Sequence, residues 1–262
     1  MNQAPAISFE GAAKSYGGGA GGRPALDRVS LEIPERAFVA VVGPSGSGKT
    51  TLLRLVNRLT DPSAGVVRVA GEDVGTADAV ALRRRIGYVF QGIGLFPHMT
   101  VGENIGVTPR LVGWDAARIA ARVDELLGLV RLDAGAYRDR FPHQLSGGER
   151  QRVGVARALA AGPRIVLMDE PFGALDPLTR DALGRDYRQL HDELGLTTMM
   201  ITHDVVEAAL LADRIVVMAE GRLVAEGTPQ ELMRQDGDGD ARDLMQTPRR
   251  QAERLRALLG TA

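Results

Sequence analysis

No cysteine occurs among the 262 residues. Disulfides and thiolate-bound metals are therefore excluded, and the absence fits a reducing compartment. Neither sign of charge dominates: the formal net charge is −1, so no general attraction to nucleic acid or to an anionic membrane is expected. Long apolar runs are also missing, and none approaches the roughly 18 residues that span a bilayer. The opening MNQAPAISFEG lacks the basic and apolar regions of a signal peptide. The expectation is a soluble cytoplasmic protein that meets a membrane only through a partner. Its length suits one large α/β domain, or one and a half ordinary ones.

Lysine is the scarcest charged residue. Only Lys14 and Lys49 stand against thirty arginines. A merely solvated cation would most often be arginine in this chain, so Lys49 in GPSGSGKTT (residues 43–51) calls for a specific reason. The stretch matches G-x-x-x-x-G-K-[ST] between the β-branched run 39–42 and the helical pattern TLLRLV. Gly43, Gly46 and Gly48, with Pro44, Ser45 and Ser47 between them, let backbone N–H groups converge on an anion at the start of a helix. A compact ammonium on a flexible stem can reach the β- and γ-phosphates of a nucleotide. The Thr50 hydroxyl can coordinate Mg²⁺, and Thr51 continues the turn.

Strand-like runs recur at 37–42, 86–90, 164–168, 197–201 and 214–218, with helical patterns at 49–58, 149–161, 179–194 and 204–212. This alternation predicts a mainly parallel, covered sheet. Before the phosphate loop, ISFEGAAKSY and ALDRVSLEI alternate as antiparallel strands do, and GGGAGG between them reads as a mobile loop. Residues 115–160 carry denser helix signals, which predicts a helical subdomain inserted in the α/β core. DGDGD marks a linker from residue 236, and RRQAERLRALLG reads as a short helix beyond it.

The run RIVLMDEPFGALD ends a strand on Asp169 and Glu170, at the sheet edge where α/β folds bind ligands. Asp169 suits Mg²⁺ through its water shell, and Glu170 suits a general base for the attacking water. In LSGGERQRVGVARALA, Ser146 can cap a helix while Gly147 and Gly148 expose backbone N–H groups, a second anion site of helix N-terminal type.

With LSGGE the sequence resembles the ATP-binding subunits of ABC transporters, whose signature is L-S-G-G-Q. The resemblance runs over about the first 235 residues. It implies a P-loop NTPase of ABC type, with an N-terminal antiparallel β subdomain and a helical subdomain at about 92–160. It further assigns Gln91 in IGYVFQ to Mg²⁺ or its water, His203 in MMITHD to the γ-phosphate and water, Asp176 in GALD to the loop after the acidic pair, and Tyr16 to stacking on adenine. Residues 236–262 form a linker and tail, with no regulatory CBS modules expected.

The family pattern also implies a head-to-tail dimer, because the phosphate loop and Ser146 belong to different subdomains. Transmembrane permease subunits and a solute-binding protein are implied as partners, at the cytoplasmic face of the membrane. LVNRLTDPSAG, GLFPHMTVGENI and PRLVGW resemble importers of glycine betaine, choline and related quaternary amines. Glu149 departs from the usual Gln, a variant seen with other cargo, so import of an amino acid, polyamine or anion is the alternative. A nucleic-acid ATPase of the same superfamily would insert long coiled coils or zinc modules before the signature. Cysteine zinc ligands are absent here.

Overall fold

Apolar runs become strands wherever both faces can be covered. The computed structural model describes residues 4–16, 24–92, 94–234 and 245–247. In chain order the described strands are β1 (Ile7–Lys14), β2 (Leu26–Ile33), β3 (Phe38–Val42), β4 (Ala64–Val69), β5 (Glu72–Asp73), β6 (Ile86–Val89), β7 (Ile165–Asp169), β8 (Thr197–Ile201), β9 (Arg214–Ala219) and β10 (Arg222–Gly227). Six of them form one sheet in the order β10-β9-β3-β8-β7-β6, parallel from β9 to β6 with β10 antiparallel at the edge. The other four form an antiparallel sheet, β2-β1-β4-β5.

Every residue of β3, β7 and β8 is buried, as a parallel strand covered on two faces requires. The pleat then divides the core. Phe38, Ala40 and Val42 belong to one apolar cluster, while Val39 and Val41 belong to the other. The first cluster is closed by helices and the second by the antiparallel sheet and the helix after β3.

The described helices are α1 (Lys49–Val56), α2 (Ala79–Arg85), α3 (Val101–Ile105), α4 (Val107–Leu111), α5 (Ala116–Leu129), α6 (Ala134–Tyr137), α7 (Gly147–Leu159), α8 (Pro177–Leu194), α9 (Val205–Leu211) and α10 (Pro229–Arg234). From α3 to α7 the chain runs as helices between β6 and β7, with α7 packed on α3, α5 and β6. Helical structure thus begins at Val101, earlier than the periodicity predicts. The antiparallel sheet gains β4 and β5, which are too short and polar to stand out in the sequence. GGGAGG and RRQAERLRALLG lie outside the described residues.

The sheet order positions the site. The phosphate loop leaves β3, the acidic pair ends β7, His203 follows β8 and Gln91 follows β6, all at the carboxyl ends of strands in one sheet.

Candidate functional site

The phosphate loop is over-determined by close backbone approach. Gly43 has φ 154°, and a Cβ there would sit 2.1 Å from the Met218 carbonyl oxygen. Gly48 has φ 101°, and its Cβ would sit 2.4 Å from the Ala25 carbonyl oxygen. Neither position accepts a side chain without moving the backbone. Lys49, 7% exposed, folds back over the loop and donates from Nζ to the carbonyls of Gly43 at 2.8 Å and Pro44 at 2.9 Å. Burial lowers its pKa, opposed by the charges of Glu170 and Asp169. Ser47 Oγ is buried without a hydrogen-bond partner among the described residues. A cradle with an unsatisfied hydroxyl and a desolvated ammonium fits an incoming phosphate.

Asp169 and Thr50 face each other, with Oγ1 3.4 Å from Oδ1. Burial and the neighbouring Glu170 hold the Asp169 carboxyl above its ordinary range. Glu170 follows with φ 45°, an uncommon conformation for a residue with a side chain, and its N–H donates to Ile201 O at 2.9 Å. Its Oε2 accepts from Gln91 Nε2 at 2.9 Å and lies 3.5 Å from His203 Nδ1. Gln91 and His203, from two other strand ends, therefore converge on one carboxylate oxygen of Glu170.

Tyr16, 59% exposed, shares a cleft of about 310 Å³ with Pro44, Ser45, Gly46, Ser47 and Glu220. The Lys14 ammonium lies 5.3 Å from the Tyr16 ring centroid and donates to Asp61 O at 2.7 Å. An aromatic face beside a phosphate loop is what a purine nucleotide requires at its two ends. A cleft of about 650 Å³ lies elsewhere, at the amino ends of β6 and β7 beside Arg84, Ile86 and Arg164, and holds none of these groups.

Ser146 caps α7, accepting from Glu149 N at 3.3 Å while Glu149 Oε2 accepts from Ser146 N at 2.7 Å. Tyr137 Oη donates to Glu149 at 2.5 Å, and these bonds hold the Glu149 carboxyl below its ordinary range. Glutamate and glutamine serve a capping box equally, so the departure at 149 leaves the turn intact. Ser146 is exposed, Gly147 and Gly148 are half-buried, and among the described residues no hydrogen bond joins the three to the phosphate loop. Asp176 caps α8 through Thr179 N at 3.0 Å, which lowers its pKa.

Sequence reasoning missed two residues in the helical insertion. Asn104 is fully buried on α3 and holds the loop before it, accepting from Phe96 N and donating to the carbonyls of Phe96, Met99 and Thr100. Arg157 on α7 is 8% exposed and donates to Gly94 O at 2.7 Å. They shape a groove of about 500 Å³ bordered by Leu59, Phe90, Phe96 and Val107. No short motif marks either residue, because each serves a loop distant in sequence or irregular in form.

The sequence profile of the ABC transporter family matches residues 26–173. The choline transport ATP-binding protein OpuBA of Bacillus subtilis is 48% identical over 233 residues, covering 88% of this chain and 60% of that protein. The sulfate/thiosulfate import ATP-binding protein CysA 2 of Shewanella oneidensis is 50% identical over 212 residues, covering 79% and 59%. The chain therefore spans about three fifths of the length of these curated relatives. The ATP-binding cassette MJ0796, solved as a dimer in a post-hydrolysis state bound to ADP and Pi, superposes with a TM-score of 0.76 at 34% identity, covering 85% of this chain and 98% of that one. With its phosphate loop, acidic strand end and capped signature turn on that fold, the chain belongs to the ABC transporter family.

Proposed function

We propose that this chain is the ATP-hydrolysing subunit of a membrane importer for quaternary amines such as choline and glycine betaine. The convergence of Gln91 and His203 on the Glu170 carboxylate, beside the phosphate loop, carries the hydrolytic part of the reading. The likeness to OpuBA supports the cargo.

In the proposed mechanism, Tyr16 stacks on adenine and residues 43–51 wrap the phosphates. Lys49 exchanges its two carbonyl partners for the β- and γ-phosphate oxygens. Mg²⁺ fits the oxygen donors Thr50, Asp169 and Gln91, and the raised pKa of Asp169 marks a carboxylate whose charge gains from a cation. Bound there, the ion supplies charge neutralisation for phosphoryl transfer. Glu170 takes the proton from the attacking water, while His203 and Gln91 hold water and γ-phosphate in line.

Ser146, Gly147 and Gly148 complete the corresponding site of a second copy. Two or three charge-assisted hydrogen bonds, at about 1.5–3 kcal/mol each, suffice for ATP to close the pair at least a hundredfold more often. Hydrolysis removes the contact and the pair opens. The groove beside Phe90 and Phe96 docks the permease, and Arg157 ties that groove to the signature helix. The subunit sits at the cytoplasmic face of the membrane, and among the described residues no helix is long and apolar enough to cross it. Residues 1–235 form the ATPase domain.

The likeness to CysA 2 favours a second reading, with an anion as cargo. Reconstitution with permease and binding protein decides between them. Choline, glycine betaine or carnitine should stimulate ATP hydrolysis, because a loaded binding protein favours the closed pair. Stimulation by sulfate alone replaces the cargo and leaves the ATPase standing; no hydrolysis under any condition removes the whole reading.

A further inference from the structure

We propose that Arg180 is a positioning residue for hydrolysis, fixing the loop after the acidic pair and the backbone of His203 in one register. The inference rests on the ATPase reading above.

One guanidinium on α8 spans the two loops. Nη1 donates to Asp204 Oδ2 at 3.0 Å, and Nη2 donates to the carbonyls of Leu175 at 3.2 Å and Gly173 at 3.4 Å. Asp204 immediately follows His203, and its own N–H donates to Thr202 Oγ1 at 3.0 Å. Its other oxygen, Oδ1, caps α9 through Val206 N at 2.9 Å and Glu207 N at 3.1 Å. Asp204 is therefore held on both sides, and the chain carrying His203 with it. At the other end of the bridge, Gly173 N donates to Glu170 O at 3.4 Å. A Cβ on Gly173 would lie 3.7 Å from His203 Cε1 and 3.8 Å from Glu170 Oε2, so the loop closes directly over the pair that faces water.

Geometry selects arginine for this place. A planar fork can serve an anion and two carbonyls at once, whereas an ammonium on a flexible stem cannot hold the same directions. The Arg180 Nε is buried with no hydrogen-bond partner among the described residues. An unmet donor of that kind persists where the remaining contacts define the position of the group. Residues 173, 174 and 176 are exposed, so a second copy meeting this loop would reach His203 through Arg180.

The test measures ATP hydrolysis, ATP affinity and melting temperature for the parent chain, Arg180→Gln, Arg180→Lys, Asp204→Asn and the double variant Arg180→Gln/Asp204→Asn. Asparagine still caps α9, so Asp204→Asn removes charge without removing the cap. Arg180→Gln should lower kcat about tenfold or more with KM for ATP within about twofold, the signature of a loss expressed in the transition state. Arg180→Lys should recover part of kcat through the ion pair. The double variant should be no slower than the slower single variant, since both remove one bridge. Arg180→Gln turning over at the parent rate overturns the inference alone. A loss of kcat that tracks a raised KM and a lowered melting temperature, or additive effects in the double variant, also overturns it in favour of a structural role. A parent chain that hydrolyses no ATP overturns both this inference and the reading beneath it.

Discussion

The two glycine-rich turns of this chain are built on opposite plans. Around residues 43–48 the backbone is locked by neighbours on two sides, with Met218 O and Ala25 O where a Cβ would stand, and Lys49 is buried. Around Ser146 the turn satisfies its own hydrogen bonds through a capping box, and a Cβ on Gly147 would meet only Leu175 Cδ2 at 3.8 Å. The first turn is shaped by the chain's own fold. The second satisfies its own helix cap and leaves an exposed serine and N–H groups for something outside, as a half-site for a second copy requires.

Three substitutions separate these plans. Glu170→Gln keeps both turns and removes the base, so kcat should fall by about 10²–10⁴ while ATP binding persists. Light scattering should then show an ATP-dependent pair; a monomer under all conditions would break the head-to-tail proposal. Gly43→Ala should destabilise the chain by about 3 kcal/mol, a fall in Tm of roughly 6–12 °C, while Gly147→Ala leaves Tm within about 1 °C. Equal effects at the two glycines would erase the contrast.

Smaller effects sharpen it. Ser146→Ala should cost about 1 kcal/mol by the loss of a helix cap, measurable by urea unfolding without nucleotide. Asp169→Asn should abolish Mg²⁺-dependent hydrolysis yet stabilise the metal-free chain by about 0.5–1 kcal/mol. Burial and Glu170 raise the folded-state pKa of Asp169, so its stabilising share is present below the ordinary carboxylate range and is lost as pH rises through the raised value. In EDTA the variant's advantage should therefore open with rising pH and remain at neutrality; a gap that closes instead would contradict the burial.

The buried parallel strands were legible because each is a short apolar run with chemistry at its carboxyl end: β3 before Gly43, β7 before Glu170, β8 before His203. Both glycine-rich turns were legible for the same reason, a fixed spacing of small residues. By contrast β4 and β5 were not, since a half-exposed edge such as AGVVRV followed by ED carries little periodic signal. α7 and α8 each begin two residues before their helical patterns, at Gly147 and Pro177, because the caps Ser146 and Asp176 set the starts. Asn104, Arg157 and Arg180 stayed hidden because each acts on carbonyl groups, which every residue possesses and no spacing identifies.

Both lysines lie beside parts of the proposed nucleotide site, Lys49 folded over the phosphate loop and Lys14 beside the Tyr16 ring. Acylating reagents aimed at side-chain amines thus have two targets in the entire chain, one shielded and one near solvent, and protection of either by a bound purine triphosphate becomes a footprint of occupancy without any engineered label.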